Sequence, residues 1–378
     1  MQLFIGIMSG TSLDGVDVAL ASFESSTTEN TSCQLIATHF LPYPAALKLE
    51  ILAIHEPTAN ELEAAILLGN KLVVLYADAV NSLLKSVKKS ASDITAIGCH
   101  GQTIRHCPNI INPELGFTLQ IGNNALLAEL TNISVVGDFR SRDIAAGGQG
   151  APLVPAFHLA LFGSNQVNRA LINIGGIANI TYLGKDGTSL NSGKVLGFDS
   201  GPGNMLIDSW AKLKLGKDYD ANGAWAATGV VLDALLSNML AEPYFALPPP
   251  KSTGRDLFND HWLKQHQLYP HLRPQDVART LVALTAHSIV DALKKCGDLD
   301  EVYLCGGGAH NSLLIEDLQA LLSDKKVLTT EQLGIGVDWV EAAAFAWLAK
   351  QTIENKPSNM PAVTGAKGLR VLGAIYPK

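Results

Sequence analysis

FIGIMSGTSLDGVDVAL (Phe4–Leu20) and ALINIGGIANITYL (Ala170–Leu183) are built alike: an apolar, β-branched run, a turn of small residues, then a second such run. Each reads as strand–turn–strand. Glycine in these turns permits positive φ and lets a ligand approach the backbone amides closely. Successive exposed N–H groups there form a concavity for anions. Two such hairpins, spaced about half a chain apart, predict two related α/β lobes gripping one polyphosphate from both sides.

The segments around the hairpins fit that plan. After the first come a third strand (Cys33–Phe40), a long helix over about 60–88, a short strand ITAIGCH (Ile94–His100) and a polar turn, GQTIRH. FTLQIG (Phe117–Gly122) is a strand, NNALLAELT (Asn123–Thr131) a helix with an asparagine cap, and ISVVGDF (Ile133–Phe139) another strand. The second half repeats this order. Its hairpin is followed by the strand KVLGFDSG (Lys194–Gly201), helices over about 203–213, 229–240 and 274–295, the strand EVYLCGGG (Glu301–Gly308) and a helix over 313–322. The lobe boundary is expected in the small polar break Gly163–Asn168, giving an N-terminal lobe 1–165 and a C-terminal lobe 166–378. PPPKSTG (Pro248–Gly254) reads as a linker-like loop inside the second.

Composition narrows the class. The 378 residues suffice for two or three domains, and 47% hydrophobic with 17% charged residues is ordinary globular composition. A formal net charge of −7, without a basic cluster longer than Lys88-Lys89 or Lys294-Lys295, speaks against a nucleic-acid surface. No apolar run reaches a membrane span, and the N-terminus lacks the features of a secretion signal. Five cysteines, with no C-x-x-C pair, fit a reduced cytoplasmic protein better than a disulfide framework or structural zinc.

Seven segments carry candidate chemistry. In the first hairpin, Gly10, Thr11, Ser12, Leu13, Asp14, Gly15, Val16 and Asp17 supply amides and hydroxyls for phosphate oxygens, and Asp14 or Asp17 suits a water-bound magnesium. The same residues would also make a tight turn with polar caps. No P-loop pattern is present. Gly175-Gly176 is the matching turn of the second hairpin, and Gly306, Gly307 and Gly308 form a strand–helix turn where a base or phosphate could lie against the backbone. Asp199, in GFDSGPGN, ends an apolar strand and is either a general base or the cap of the helix starting near Asn204. CHGQTIRHC (Cys99–Cys107) lacks metal-ligand spacing and is expected to line the cleft through His100, Gln102 and Thr103. DFRSRDIAAGGQGAP (Asp138–Pro152) is either a salt-bridged surface loop or a sugar- or carboxylate-binding segment beside a mobile glycine hinge. Glu341, in DWVEAAAFAW, needs a partner if buried.

Taken together, MSGTSLDGVD, GCHGQTIRH, LQIGN, DFRSRDIAAGGQGAPLVPAFH, NIGG, FDSGPGN, KSTGR and CGGGAHN resemble the anhydro-N-acetylmuramic acid kinases, of the sugar kinase/Hsp70/actin superfamily. The resemblance runs over essentially the whole chain. It implies two RNase-H-like lobes with ATP and Mg²⁺ in the cleft between them. It further implies ring opening and O6 phosphorylation of 1,6-anhydro-N-acetylmuramic acid in murein recycling, in the cytoplasm, by a homodimer. Asp199 would activate the attacking water, and the glycine turns would hold ATP. Gln120, Arg140, Asp143 and Glu341 would contact the sugar. The alternatives are another small-molecule kinase of the superfamily, or a non-kinase ATPase clamp of the Hsp70 or actin type.

Overall fold

The computed structural model describes every residue except 1, 11, 26–30, 56, 58, 109–115, 188 and 267–271. The chain divides into two compact units. Unit 1 comprises Met1–Phe162, Ser189–Ser192 and Trp339–Lys378; unit 2 comprises Gly163–Thr188 and Gly193–Asp338.

In unit 1, β1 (Leu3–Met8) and β2 (Gly15–Ser25) form the first expected hairpin, and β3 (Thr31–Pro42) adds to it antiparallel. β4 (Ile94–Cys99) lies parallel on the other side of β1, and β7 (Val135–Gly137) parallel to β4. β1 reads LFIGIM without alternation because it is buried on both faces. The Glu61–Ser86 helix packs on the hairpin side through β2 and β3. The Val340–Ile353 helix packs on β1 and β4. Its approach is very close: a Cβ on Gly6 would stand 1.8 Å from the carbonyl oxygen of Ala342, and one on Gly98 2.0 Å from that of Phe345. Two glycines on the strands and a run of alanines on the helix are therefore one packing feature.

Unit 2 repeats the pattern. β8 (Arg169–Ile174), β9 (Ile177–Leu183) and β10 (Val195–Pro202) form an antiparallel meander. β11 (Glu301–Cys305) joins β8 in parallel and β12 (Lys326–Thr329) joins β11. The spatial order β3-β2-β1-β4-β7 in one unit and β10-β9-β8-β11-β12 in the other is a single plan, 3-2-1-4-5 in chain order. The duplicated α/β architecture expected from the two hairpins is present. The Pro274–Leu293 helix, with proline in its first turn, packs against β9 and β10.

Three expectations change. GQTIRH is not a turn: Gln102–Cys107 is β5, paired antiparallel with β6 (Phe117–Ile121) in a separate two-stranded sheet. The residues after 338, expected with the second half, belong to unit 1, where Ala374–Tyr376 pairs antiparallel with β7. The Ala145–Gly150 segment is not a free hinge. The amides of Gly148 and Gly150 bond to the carbonyl and carboxylate of Asp143, and that of Gln149 to the carbonyl of Thr364. No described helix is long and apolar enough to cross a membrane.

Candidate active site

In unit 1 the end of β1 runs into the first glycine turn, which is held from beneath. Ser9, buried, bonds through its Oγ to the Gln102 side chain and, at 2.6 Å, to the Tyr43 hydroxyl, which meets that of Tyr76 at 3.2 Å. Burial pushes the Tyr43 phenol up to about 12 and that of Tyr76 well above its ordinary value, so both stay neutral. Gln102 also donates to the Gly10 carbonyl at 3.3 Å. Within the turn, Asp14 Oδ1 accepts from Ser12 Oγ at 2.7 Å and the Gly15 amide at 3.1 Å.

The turn's residues divide by role. Leu13 and Val16 are buried and offer backbone only, with Leu13 at φ +59°. Gly15 is glycine for packing, since a Cβ would meet Leu41 O and the Phe40 ring at 2.5 Å. Asp17 sits in β2 opposite Met8 and Phe40. Thr11 lies outside the described residues. Gly10, Ser12 and Asp14 form the accessible polar part.

Ser9 also links this turn to the arginine segment. Its carbonyl accepts from His100 Nδ1 at 3.2 Å, and His100 Nε2 accepts from Arg140 at 2.9 Å. Desolvation, and then the Arg140 charge, lowers the His100 pKa to about 3. The neutral imidazole can therefore donate at one nitrogen and accept at the other. Arg140 donates to the Gly150 carbonyl at 2.9 Å, and Glu341 favours its charged form against the desolvation that lowers it to about 10. On the β5–β6 sheet, Gln120 Nε2 donates to Thr118 Oγ1 at 2.7 Å, which meets His106 Nδ1 at 3.0 Å. His106 is also held below its ordinary pKa, by desolvation and then by Arg140. Arg140 and Glu341 thus come together, and the Gln120 chain leads to the same guanidinium.

Asp143 does something else. It is fully buried, and its carboxylate accepts from the Gly150 amide (2.8 Å), Asn359 Nδ2 (2.8 Å) and Thr364 Oγ1 (2.9 Å). With these bonds made, the side chain holds the glycine segment in place and has no face to offer a sugar. Its effect on the site runs through Gly150 to Arg140.

In unit 2, Asp199 stands at a β-bulge: it pairs with Asn179, while Gly201 pairs with Ala178, leaving Ser200 between. Bulges re-aim a side chain beside a site. The strap Lys251–Thr253, expected as linker, fixes Asp199. Its amide donates to the Lys251 carbonyl (3.0 Å), its Oδ2 accepts the Thr253 amide (3.0 Å), and its carbonyl accepts the Tyr244 hydroxyl (2.8 Å). Desolvation pushes the carboxyl up to about 6, against the Thr253 amide and the Lys251 charge, which lower it. The Met205–Leu215 helix begins at Asn204 without a side-chain cap bond. Asp199 is therefore not its cap. The Thr253 hydroxyl, buried, has no hydrogen-bond partner among the described residues.

Beside it, Gly175 and Gly176 form a tight turn whose carbonyls accept the amides of Gly203, Asn204 and Met205. A Cβ would meet nothing nearer than 3.6 Å at Gly175 and 3.8 Å at Gly176, so the outer face of the turn is open. In the third turn, Gly306 (φ +77°) and Gly308 are set by packing against β8: a Cβ would fall 2.2 Å from Asn173 Oδ1 and from Ile174 Cγ2 respectively. Gly307 alone is open, its nearest neighbour Asn204 Nδ2 at 3.7 Å.

The family described as anhydro-N-acetylmuramic acid kinase matches residues 2–378. The chain belongs to the anhydro-N-acetylmuramic acid kinase family. Among curated members of that family, the protein of Nitrosospira multiformis is 52% identical over 375 residues, covering 99% of this chain and 98% of the relative. That of Pseudomonas syringae pv. tomato is 49% identical over 376 residues, covering 99% of each. Among solved structures, an activator of 2-hydroxyisocaproyl-CoA dehydratase from Clostridium difficile with bound ADPNP aligns at TM-score 0.46 and 12% identity, over 94% of this chain and 98% of that one.

Proposed function

We propose that the protein is an ATP-dependent kinase that hydrolytically opens 1,6-anhydro-N-acetylmuramic acid and phosphorylates O6, giving N-acetylmuramic acid 6-phosphate and ADP. Family membership over the whole chain supports the substrate pair. The observation that carries the mechanism is Asp199: desolvated, strapped at a bulge, and not capping a helix.

In this reading Asp199 takes a proton from water as the water oxygen attacks C1. The C1–O6 bond breaks, and O6 accepts the γ-phosphoryl group while ADP leaves. The buried, unpartnered Thr253 hydroxyl, next to the amide that bonds Asp199, suits a second contact to that water. Arg140 and Glu341 orient the sugar together with Gln120, Asp143 acting only by holding Gly150. The turns around Gly10–Asp14, Gly175–Gly176 and Gly307 hold the nucleotide through backbone amides. Asp14 fits a magnesium-bound water, because its Oδ1 is engaged in the turn while Oδ2 has no partner among the described residues. Magnesium, when bound with the nucleotide, neutralises charge on the transferring phosphoryl group. A cytoplasmic setting and a homodimeric state belong to the same proposal.

The deciding assay is ADP release with the anhydro sugar, with N-acetylglucosamine, and with no sugar. Turnover confined to the anhydro sugar is expected. Equal turnover with N-acetylglucosamine would favour another sugar kinase, and sugar-independent ATPase would favour a clamp.

Two further results are expected. Asp199 must be ionised to accept a proton, so kcat/KM should fall as pH drops through about 6. A profile flat from pH 7 to 5 would remove it as the base. Gly176→Val should raise the KM for ATP about tenfold, the equivalent of one lost charge-assisted hydrogen bond. Its backbone lies outside the left-handed region and open space surrounds it, so the fold should survive. An unchanged KM would take the second hairpin out of the nucleotide site.

A further inference from the structure

On unit 1, Arg142, Asn355, Pro357, Arg370 and Val371 line a cavity of about 570 Å³ that the mechanism does not use. Two guanidinium groups border one recess, and neither is in an ion pair among the described residues. The backbone fixes Arg370: its amide donates to Asn359 Oδ1 at 2.7 Å and its carbonyl accepts the Ser358 amide at 3.0 Å. Its Nη1 is on the Leu369 carbonyl at 2.8 Å. Arg142 projects from the short Ser141–Ala145 helix. Glu354, the acid adjoining Asn355 in the chain, is already matched by Lys350 at 2.5 Å and Lys356 at 2.8 Å. Lys367, whose amide bonds to the Ala146 carbonyl, adds another positive charge beside the helix. In a chain of net charge −7, this recess gathers uncompensated cations.

We infer that this recess is a second anion site, accepting the tetrahedral oxygens of inorganic phosphate or a phosphomonoester across Arg142 and Arg370. Two planar forks lining one recess suit an anion with several oxygens better than a single carboxylate. Occupancy would clamp the Ser141–Ala145 helix. Arg140 immediately precedes that helix and bonds His100, so the site is positioned to report anion level to the sugar-binding side.

The test is calorimetric titration of the full-length protein, saturated with ADP to block the nucleotide turns, at constant ionic strength in chloride. Inorganic phosphate and glucose 6-phosphate are the two arms, and they separate a free anion from a phosphomonoester. Saturable binding is expected in at least one, weakened about tenfold in Arg370→Gln and in Arg142→Gln and further in the double variant. The Arg142 side chain makes no hydrogen bond or ion pair among the described residues, so that variant carries the test if Arg370→Gln unfolds. No saturable binding in the wild type, or undiminished binding in Arg142→Gln, would overturn the inference.

Discussion

Asp199→Asn is expected to cut kcat by about 10²–10⁴-fold, the usual contribution of a general base, and at the same time to make the protein more stable at pH 8. Asparagine keeps the size and can still accept the Thr253 amide, but it cannot take a proton. The stability gain follows from the desolvated carboxyl. Its pKa in the folded protein is raised to about 6 from the ordinary aspartate value of 3.8, so the folded state holds this proton more tightly than the unfolded state does. The group's favourable contribution is complete below the unfolded value and is lost as pH rises through about 6. Ionised Asp199 is thus a liability at pH 8, which asparagine removes, and the advantage of the variant should vanish below about pH 4. A helix cap would behave oppositely, with stability lost and specific activity kept. In the wild-type product, labelled solvent oxygen should appear at C1. Near-normal kcat in the variant, or solvent oxygen at O6, would sink the assignment.

Gly6→Ala and Gly98→Ala should be among the most damaging single methyls in unit 1. The obstructing atoms belong to the helix backbone and cannot swing aside as a flexible side chain would. Overpacking a core typically costs about 1–3 kcal/mol, and here the upper end or beyond is expected. That corresponds to a fall in melting temperature of roughly 6–12 °C for a unit of this size. Gly193→Ala, where an added Cβ meets nothing within 4 Å, is the neutral control. Equal melting temperatures for Gly98→Ala and the control would mean that the helix does not seat where the strands require it.

Local pattern made the two hairpins legible, because alternation and glycine turns are properties of a few neighbouring residues. The Asn123 cap was readable for the same reason, and its side chain does accept the Leu126 amide. β5 was not, since QTIRHC has a single strongly apolar residue at its centre and pairs only with β6. The three glycines after β11 read as one ligand-facing loop, whereas two are explained by contact with β8, information held in another strand. The positions of Asp143 and the Lys251–Thr253 strap are not legible in the sequence for a related cause. Their partners, Asn359 and Thr364 for one and Asp199 for the other, are far away in sequence. The Ser9–Gln102–Tyr43–Tyr76 network is not legible in the sequence because it draws each polar group from a different segment. The alanine run at 342–344, with glycines at 6 and 98, was the available sign of a close helix–strand contact.

The return of residues after 338 to unit 1 matters during synthesis. The ribosome makes β1 and β4 early, but the helix that covers them emerges more than two hundred residues later. Unit 2 is almost uninterrupted in the chain and can close while its predecessor still waits for a face. Vectorial translation therefore reverses the apparent order, with the N-terminal sheet the last to be completed. In that interval its apolar strands are natural clients for chaperones.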